Sequence, residues 1–286
     1  MNGISARITH VIASLGLLLT AYASVAHAAT NDLAGMVLHF NLDELRAGAF
    51  VDLVTSNDIG RATNVRILSP GKLNGACEFA SKNSYVSVPN TAVLNPKRIT
   101  FALWFKTGKE IFPARFLLEK GSEHGYALSI AGGGKENVRR GKLRAMVCGR
   151  ECLSDASVTD DLWHHAAAVF DGHVLKLYVD GALQKQTVAV PGDLASNEFD
   201  LTLGVNRSAP STQARETSLD GAIDEVTIFN RALSEVEVKR LQSSVKPKFT
   251  KQQVERRLKE LKDLLSRGLI LQDFYDRKVQ ECEVVD

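Results

Sequence analysis

The sequence is poor in cysteine, with four residues in 286, which is too few for a disulfide-dense scaffold. It has no large charge of either sign. Thirty-five Lys and Arg stand against 33 Asp and Glu, a formal +2, so no basic field is present to wrap nucleic acid. Seven prolines and 21 glycines exclude a collagen-like or low-complexity chain. Beyond the first 28 residues there is no run long and apolar enough to cross a membrane.

The exception is the N-terminus. Arg7 is the only charged side chain in residues 1–28, an apolar run extends from Val11 to Ala23, and Ala26-His27-Ala28 supplies a small-x-small site. This pattern predicts a secretory signal peptide cleaved after Ala28. The rival reading, a membrane anchor, needs a longer apolar run than is present. The expectation is a secreted or periplasmic protein.

Export changes the reading of the cysteines. Cys148 and Cys152 enclose Gly149-Arg150-Glu151 between two strand-like stretches. A bridge across a short hairpin loop is the expectation; half a zinc site is the alternative, with no second ligand pair in view. Cys77 alternates with Phe79 and is expected as a free thiol facing the core. Cys282 lies in the tail, and nothing supports pairing it with Cys77.

From about Leu33 to Leu241 apolar residues alternate, or form short runs punctuated by turn signals. Asp171-Gly172 and Asp180-Gly181 are the strongest hairpin turns. About a dozen short strands without a long helix between them predict an all-β, two-sheet antiparallel sandwich. At Ser234 the period changes. Ser234-x-x-Glu237 forms a capping box, residues 243–249 read as a linker, and Thr250-x-x-Gln253 opens a second helix. Val254, Leu258, Leu261 and Leu265 recur on one helical face, and Gly268 stands where a helix C-cap would. Residues 250–286 are therefore expected to form a short α-hairpin. So small a unit must cover its stripe elsewhere, and oligomerisation is one way.

Several motifs follow one another in order: Gly75 to Phe79 with Ser84 to Pro89; Ile99-Thr-Phe-Ala-Leu-Trp-Phe-Lys106; Leu162-Trp-His-His-Ala166 with Phe170-Asp-Gly172 and Leu177-Tyr-Val-Asp-Gly181; and Leu219-Asp-Gly-Ala-Ile-Asp-Glu-Val226 with Phe229 to Ser234. Together they resemble the LamG-like, concanavalin A-like jelly-roll family. The tail, Leu258 to Ile270 with Phe274-Tyr-Asp-Arg-Lys278, resembles the SHOCT family of short helical hairpins, with Leu271 in place of a capping Thr. The resemblance implies a jelly roll over residues 29–242 and a binding module for carbohydrate or a glycosylated surface. An assembly protein joined through its hairpin is the alternative.

A glycoside hydrolase on this fold needs paired carboxylates from one strand. Here only Glu198-Phe199-Asp200 approaches that pattern, and its third carboxylate is missing. The adjacent His164 and His165 must point to opposite faces, which predicts one hydrogen-bonded core histidine and one at the surface. Trp104 and Trp163 read as core residues rather than sugar platforms. Relatives of this kind often hold Ca²⁺, which would draw on Asp52 and Asp58 of an early loop and on Asp224. Ligand contact is expected from three polar loops, 107–115, 132–140 and 206–217. They carry Lys109, Phe112, Arg115, Lys135, Arg139, Arg140, Arg207 and Arg215, a set suited to an anionic glycan.

Overall fold

Sixteen strands build the body of the computed structural model. In chain order they are β1 (Met36–Phe40), β2 (Ala49–Asp52), β3 (Asn57–Thr63), β4 (Arg66–Leu73), β5 (Gly75–Phe79), β6 (Tyr85–Val88), β7 (Ile99–Thr107) and β8 (Arg115–Lys120), then β9 (Tyr126–Ile130), β10 (Lys142–Val147), β11 (Arg150–Ser157), β12 (Trp163–Phe170), β13 (Val174–Val179), β14 (Ala182–Ala189), β15 (Leu201–Leu203) and β16 (Gly221–Phe229). Sheet I has the order β14-β13-β12-β7-β16-β5-β4, with β1 also paired to β16. Sheet II has the order β11-β10-β9-β8-β15-β6-β3-β2. The described residues are 34–80, 82–108, 114–121, 123–133, 138–208, 217–244, 248–249, 251–270, 272, 275, 279 and 283–284. The expected signal peptide lies outside them. Residues 37–286 form one unit and residues 1–36 another.

Alternation places the core. Phe101, Leu103 and Phe105 of β7 and Ala166, Ala168 and Phe170 of β12 face inward from sheet I; Leu128, Ile130, Leu143, Ala145 and Val147 meet them from sheet II. Their strand neighbours necessarily point outward. Along one side the sheets are stitched by amide side chains. Leu153 N–H donates to Gln186 Oε1 at 3.0 Å and Asp155 N–H to Gln184 Oε1 at 2.9 Å, which occupies edge groups that could otherwise recruit another strand.

Local turn chemistry is realised as expected. Asp180 and Gly181 both have positive φ, 50° and 77°, and join the paired residues Val179 and Ala182, the two-residue turn that matches strand twist. Ser234 N–H donates to Glu237 Oε2 at 2.7 Å and Glu237 N–H returns to Ser234 Oγ at 3.3 Å. This reciprocal cap starts α1 (Glu235–Ser244). Helix α2 (Lys251–Ser266) ends at Gly268, φ 67°. There Gly268 N–H reaches Leu265 O and Leu269 N–H reaches Leu264 O, both at 2.9 Å, closing the last turn. Beside α2, β17 (Lys248–Phe249) pairs in parallel with β18 (Glu283–Val284). Gln272, Tyr275 and Val279 are helical; most of the expected second helix, and Cys282, lie outside the described residues.

Three expectations need correction. The supposed loop from Asp52 to Asp58 is the β2–β3 hairpin, with only residues 53–56 in its turn. The Cys148–Cys152 bridge does not form, and both are free thiols. The turn there is the two residues Cys148 and Gly149, with φ 49° and 70°, so Val147 pairs with Arg150 and Cys152 with Ala145. Cys152 thus sits three ladder positions into the hairpin, with its Sγ directed to Gln186 O at 2.8 Å, too far along the strand for a bridge. Of the stripe offered for oligomerisation, Val254 and Leu261 are buried and Leu258 and Leu265 are half-buried. Finally, the buried histidine, His165, is not hydrogen-bonded at Nδ1. Burial and the nearby Lys72 charge lower its pKa to about 4. Its neighbour His164 behaves oppositely, bonded to Asp180 Oδ2 at 2.8 Å and Asp160 Oδ1 at 3.0 Å, and its pKa is raised, chiefly by the Asp180 bond. Cys77 is a buried free thiol among core side chains, as its alternation implied.

Candidate functional site

The polar groups of sheet II converge on its outer face. Cross-strand pairing sets Arg144 of β10 beside Ser129 of β9, and Ser129 beside Phe116 of β8. Arg144 Nε donates to Ser129 Oγ at 2.9 Å, and its guanidinium lies 5.7 Å from the Phe116 ring centroid. Its Nη1 is 3.7 Å from Glu151 Oε2, while the other oxygen of Glu151 takes Arg139. A second arginine covers a second ring on the same face: Arg207 is 4.5 Å from the centroid of Tyr85 on β6.

The register aligns these two pairs. Ser87 pairs with Thr202, and Thr202 with Glu119, so Tyr85 and Phe116 flank β15 at the level where that strand runs into Gly204. With a strand spacing of about 4.8 Å, the strands β6 and β8 that carry the rings are about 10 Å apart. Gly204 has φ 83°, and a Cβ there would lie 2.3 Å from the core ring of Phe79, so glycine lets β15 end against the core at this level. Below them Glu119 is buried, and the Ser208 hydroxyl donates to its Oε1 at 2.6 Å. The result is a row of two aromatic rings, each capped by a planar cation, with an ion-paired cluster at one end. A guanidinium on a ring face keeps its N–H fork directed sideways and outward, the geometry that receives a carboxylate, a sulfate or vicinal hydroxyls.

The loop arginines expected from sequence divide accordingly. Arg139 and Arg207 join the row. Arg140 is half-buried next to Arg139. Arg115 belongs elsewhere: it pairs with Ile130 on the inward side, at the rim near Asp220, and burial lowers its pKa. Phe112, Arg215, Lys109 and Lys135 lie outside the described residues. Sequence reasoning missed Tyr85, Phe116, Arg144 and Glu151, which alternation marks only as strand residues; the signal for Arg144 was a charge inside the strand Lys142–Val147.

The three carboxylates named for calcium do not share a site. Asp52 Oδ1 accepts the N–H groups of His39 at 2.9 Å and Val54 at 3.1 Å, and its Oδ2 accepts Thr55 N–H and hydroxyl at 3.2 and 2.7 Å, so Asp52 closes its own turn. Asp58 is exposed on β3, and Asp224 is buried on β16 in the other sheet. Among the described residues no group of three or more His, Cys, Asp and Glu is placed to hold a metal ion. Glu198 and Asp200 also have structural partners. Glu198 accepts Asn90 Nδ2 at 3.1 Å, and Asp200 accepts Asn90 N–H at 3.0 Å and Ser87 Oγ at 3.3 Å. Among the described residues no helix is long and apolar enough to cross a membrane.

A family profile of the concanavalin A-like lectin/glucanases superfamily, Laminin_G_3, matches residues 80–239. No curated protein matches the sequence significantly. Among solved structures, domain 4 of AbnA, a GH43 extracellular arabinanase from Geobacillus stearothermophilus, in complex with arabinotriose, is similar with a TM-score of 0.54 at 17% identity, over 72% of this chain and 98% of that domain. The binding domain of Paraclostridial Mosquitocidal Protein 1 is similar with a TM-score of 0.58 at 16% identity, over 74% of this chain and 53% of that one. The binding domain of botulinum neurotoxin DC in complex with SialylT is similar with a TM-score of 0.54 at 13% identity, over 75% and 52%. The chain spans about half the length of these two toxin binding domains.

Proposed function

The chain belongs to the concanavalin A-like lectin/glucanase superfamily, and from that premise we propose that it is an exported, non-catalytic module that binds carbohydrate through the outer face of sheet II. The observation that carries this reading is the row formed by Tyr85 under Arg207 and Phe116 under Arg144. Phe116 is buried and Tyr85 half-buried, so the rings serve to hold two guanidiniums in place, and the oriented charged donors are what a sugar with an acidic substituent would meet. The fold neighbours bound to arabinotriose and SialylT support a sugar as ligand class. The non-catalytic part rests on Glu198 and Asp200, the one near-match to a paired-carboxylate motif, whose oxygens are engaged with Ser87 and Asn90. Export rests on the signal-like pattern of residues 1–28.

The test is a glycan array on the chain from Ala29, run with and without Ca²⁺. Selective binding to glycans bearing carboxylate or sulfate is expected, at least tenfold weaker in Arg144→Ala and Arg207→Ala. A blank array on protein shown to be folded overturns the reading.

A further inference from the structure

Three buried polar atoms on sheet I have no hydrogen-bond partner among the described residues: Trp104 Nε1, His165 Nδ1 and Thr227 Oγ1. Their residues are only 4%, 1% and 3% exposed. They stand on neighbouring strands. His165 on β12 and Asp224 on β16 are the ladder partners of Trp104 on either side, and Thr227 is the partner of Ala102, two residues along β7. The residues alternating with them, Leu103, Phe105, Ala166, Val226 and Ile228, fill the core, so this set lies on the outer side of the sheet. Strand spacing and rise confine it to a patch about 10 Å across. The Trp104 and His165 rings are 5.3 Å apart, and Lys72 Nζ sits 4.0 Å from the indole centroid.

An unpaired buried polar group destabilises the fold. Three in one patch mark a place that a guest should occupy. The donor balance identifies the guest. The indole N–H can only donate, the Thr227 hydroxyl and the His165 imidazole can donate as well, and the Lys72 ammonium sets positive charge beside the indole. The two carboxyls beside the patch are already engaged: Leu73 N–H reaches Asp224 Oδ2 at 2.9 Å and Glu225 N–H reaches its Oδ1 at 2.8 Å, while Asp180 accepts His165 N–H at 2.8 Å and lies 2.8 Å from His164 Nδ1. Burial, with the Glu225 and Asp43 charges, pushes the Asp224 carboxyl up to about 8, so at neutral pH it carries little charge to repel an anion. The near-complete burial limits the guest to a few atoms.

We propose that Trp104, His165 and Thr227, with Lys72 alongside, form an internal site on sheet I for a small monovalent anion, of halide or acetate size. This site is separate from the row on sheet II and does not depend on the carbohydrate reading.

Two measurements test it on the chain from Ala29. Crystals soaked in bromide should show an anomalous peak in contact with Trp104 Nε1. Thermal unfolding in chloride or acetate, against gluconate at matched ionic strength, should show a saturable rise in Tm. The response to acetate alone, or to chloride as well, separates carboxylate from halide. Thr227→Val, which keeps the side-chain shape, and Trp104→Phe should each weaken the apparent anion affinity about tenfold, while Arg144→Ala on sheet II leaves it unchanged. If Trp104→Phe does not fold, Thr227→Val carries the test. Ordered water alone in the patch, with equal Tm in every salt, overturns the proposal. So does an anion response that persists undiminished in Thr227→Val.

Discussion

On the outer face of sheet II Arg144 and its neighbours are paired with one another; on the outer face of sheet I Trp104, His165 and Thr227 each bury a polar atom without a partner. Arg144 of sheet II has Ser129, Glu151 and the Phe116 ring, whereas Trp104 and His165 leave ring nitrogens unbonded beneath 4% and 1% exposure. The two sheets share one core and one alternation, so the difference arises from what lies outside each sheet. Arg144 and Glu151 keep part of their surface in water, where pairing of modest strength suffices. Groups cut off from water must be satisfied or must cost stability. A face of the first kind suits recognition, and one of the second kind suits a permanent internal guest.

The largest effect should come from breaking the best-satisfied group on sheet I. Asp224→Ala leaves the buried N–H groups of Leu73 and Glu225 without an acceptor, and chemical denaturation at pH 7 should show a loss of about 3 kcal/mol. Asp224→Asn retains an acceptor and should lose less. It should also change the pH dependence. A carboxyl raised to about 8 in the folded state contributes stability that is fully present below the unfolded value near 3.8 and is lost as pH rises through 8. Wild type should therefore lose stability between pH 4 and 8 relative to Asp224→Asn; identical slopes would rule out a buried neutral Asp224.

The adjacent histidines sharpen the comparison. His165, lowered to about 4 by burial, contributes stability that is present above its unfolded pKa of about 6.5 and is lost as pH falls toward 4. His165→Gln should remove about 2 kcal/mol of acid sensitivity over that window. His164, held between Asp180 and Asp160, is raised. Its contribution is present below about 6.5 and disappears as pH rises through its folded value. His164→Gln should flatten the neutral-to-alkaline limb and leave the acid limb unchanged. Denaturant midpoints from pH 4 to 9 for both variants would expose the opposite signs, and a shared direction would contradict the two environments.

These two residues also mark how far the sequence could be read. Opposite facing of His164 and His165 follows from strand geometry alone. That the buried one lacks a partner depends on what covers sheet I, which no local pattern encodes. Elements governed by neighbours in sequence were legible: the Asp180-Gly181 turn, the Ser234 capping box and the Gly268 helix end. Strands β3 and β4 were not, because Asn57–Thr63 and Arg66–Leu73 are largely polar or exposed and contain Gly60, Pro70 and Gly71, which hide the alternation. At the sheet II row, Arg139 and Arg207 were visible as loop arginines. Tyr85, Phe116 and Arg144 were not, since alternation assigns two faces without saying which one binds.

On sheet II a single truncation should cost the fold less than on sheet I. Arg144→Ala uncovers Phe116 and leaves Glu151 to Arg139. A loss of about 1 kcal/mol is expected, because Glu151 keeps Arg139 and part of its surface in water. A loss matching that of Asp224→Ala would mean that this face is as sealed as the other.

The smallest effect concerns Cys148. It occupies the first position of a two-residue turn at φ 49°, half-buried and with a free thiol. Its nearest polar neighbour is His124 O at 3.8 Å, a weak contact. Cys152 points the other way, toward Gln186 O, and burial raises its pKa to about 11, which keeps it an unreactive thiol at neutral pH. Cys148→Ser should therefore shift stability by less than about 0.5 kcal/mol, and the unfolding midpoint of wild type should not move with dithiothreitol. A bridge between the two would give the opposite result on both counts, because a turn held by a covalent tie responds to reductant and one held by Gly149 and ladder pairing does not.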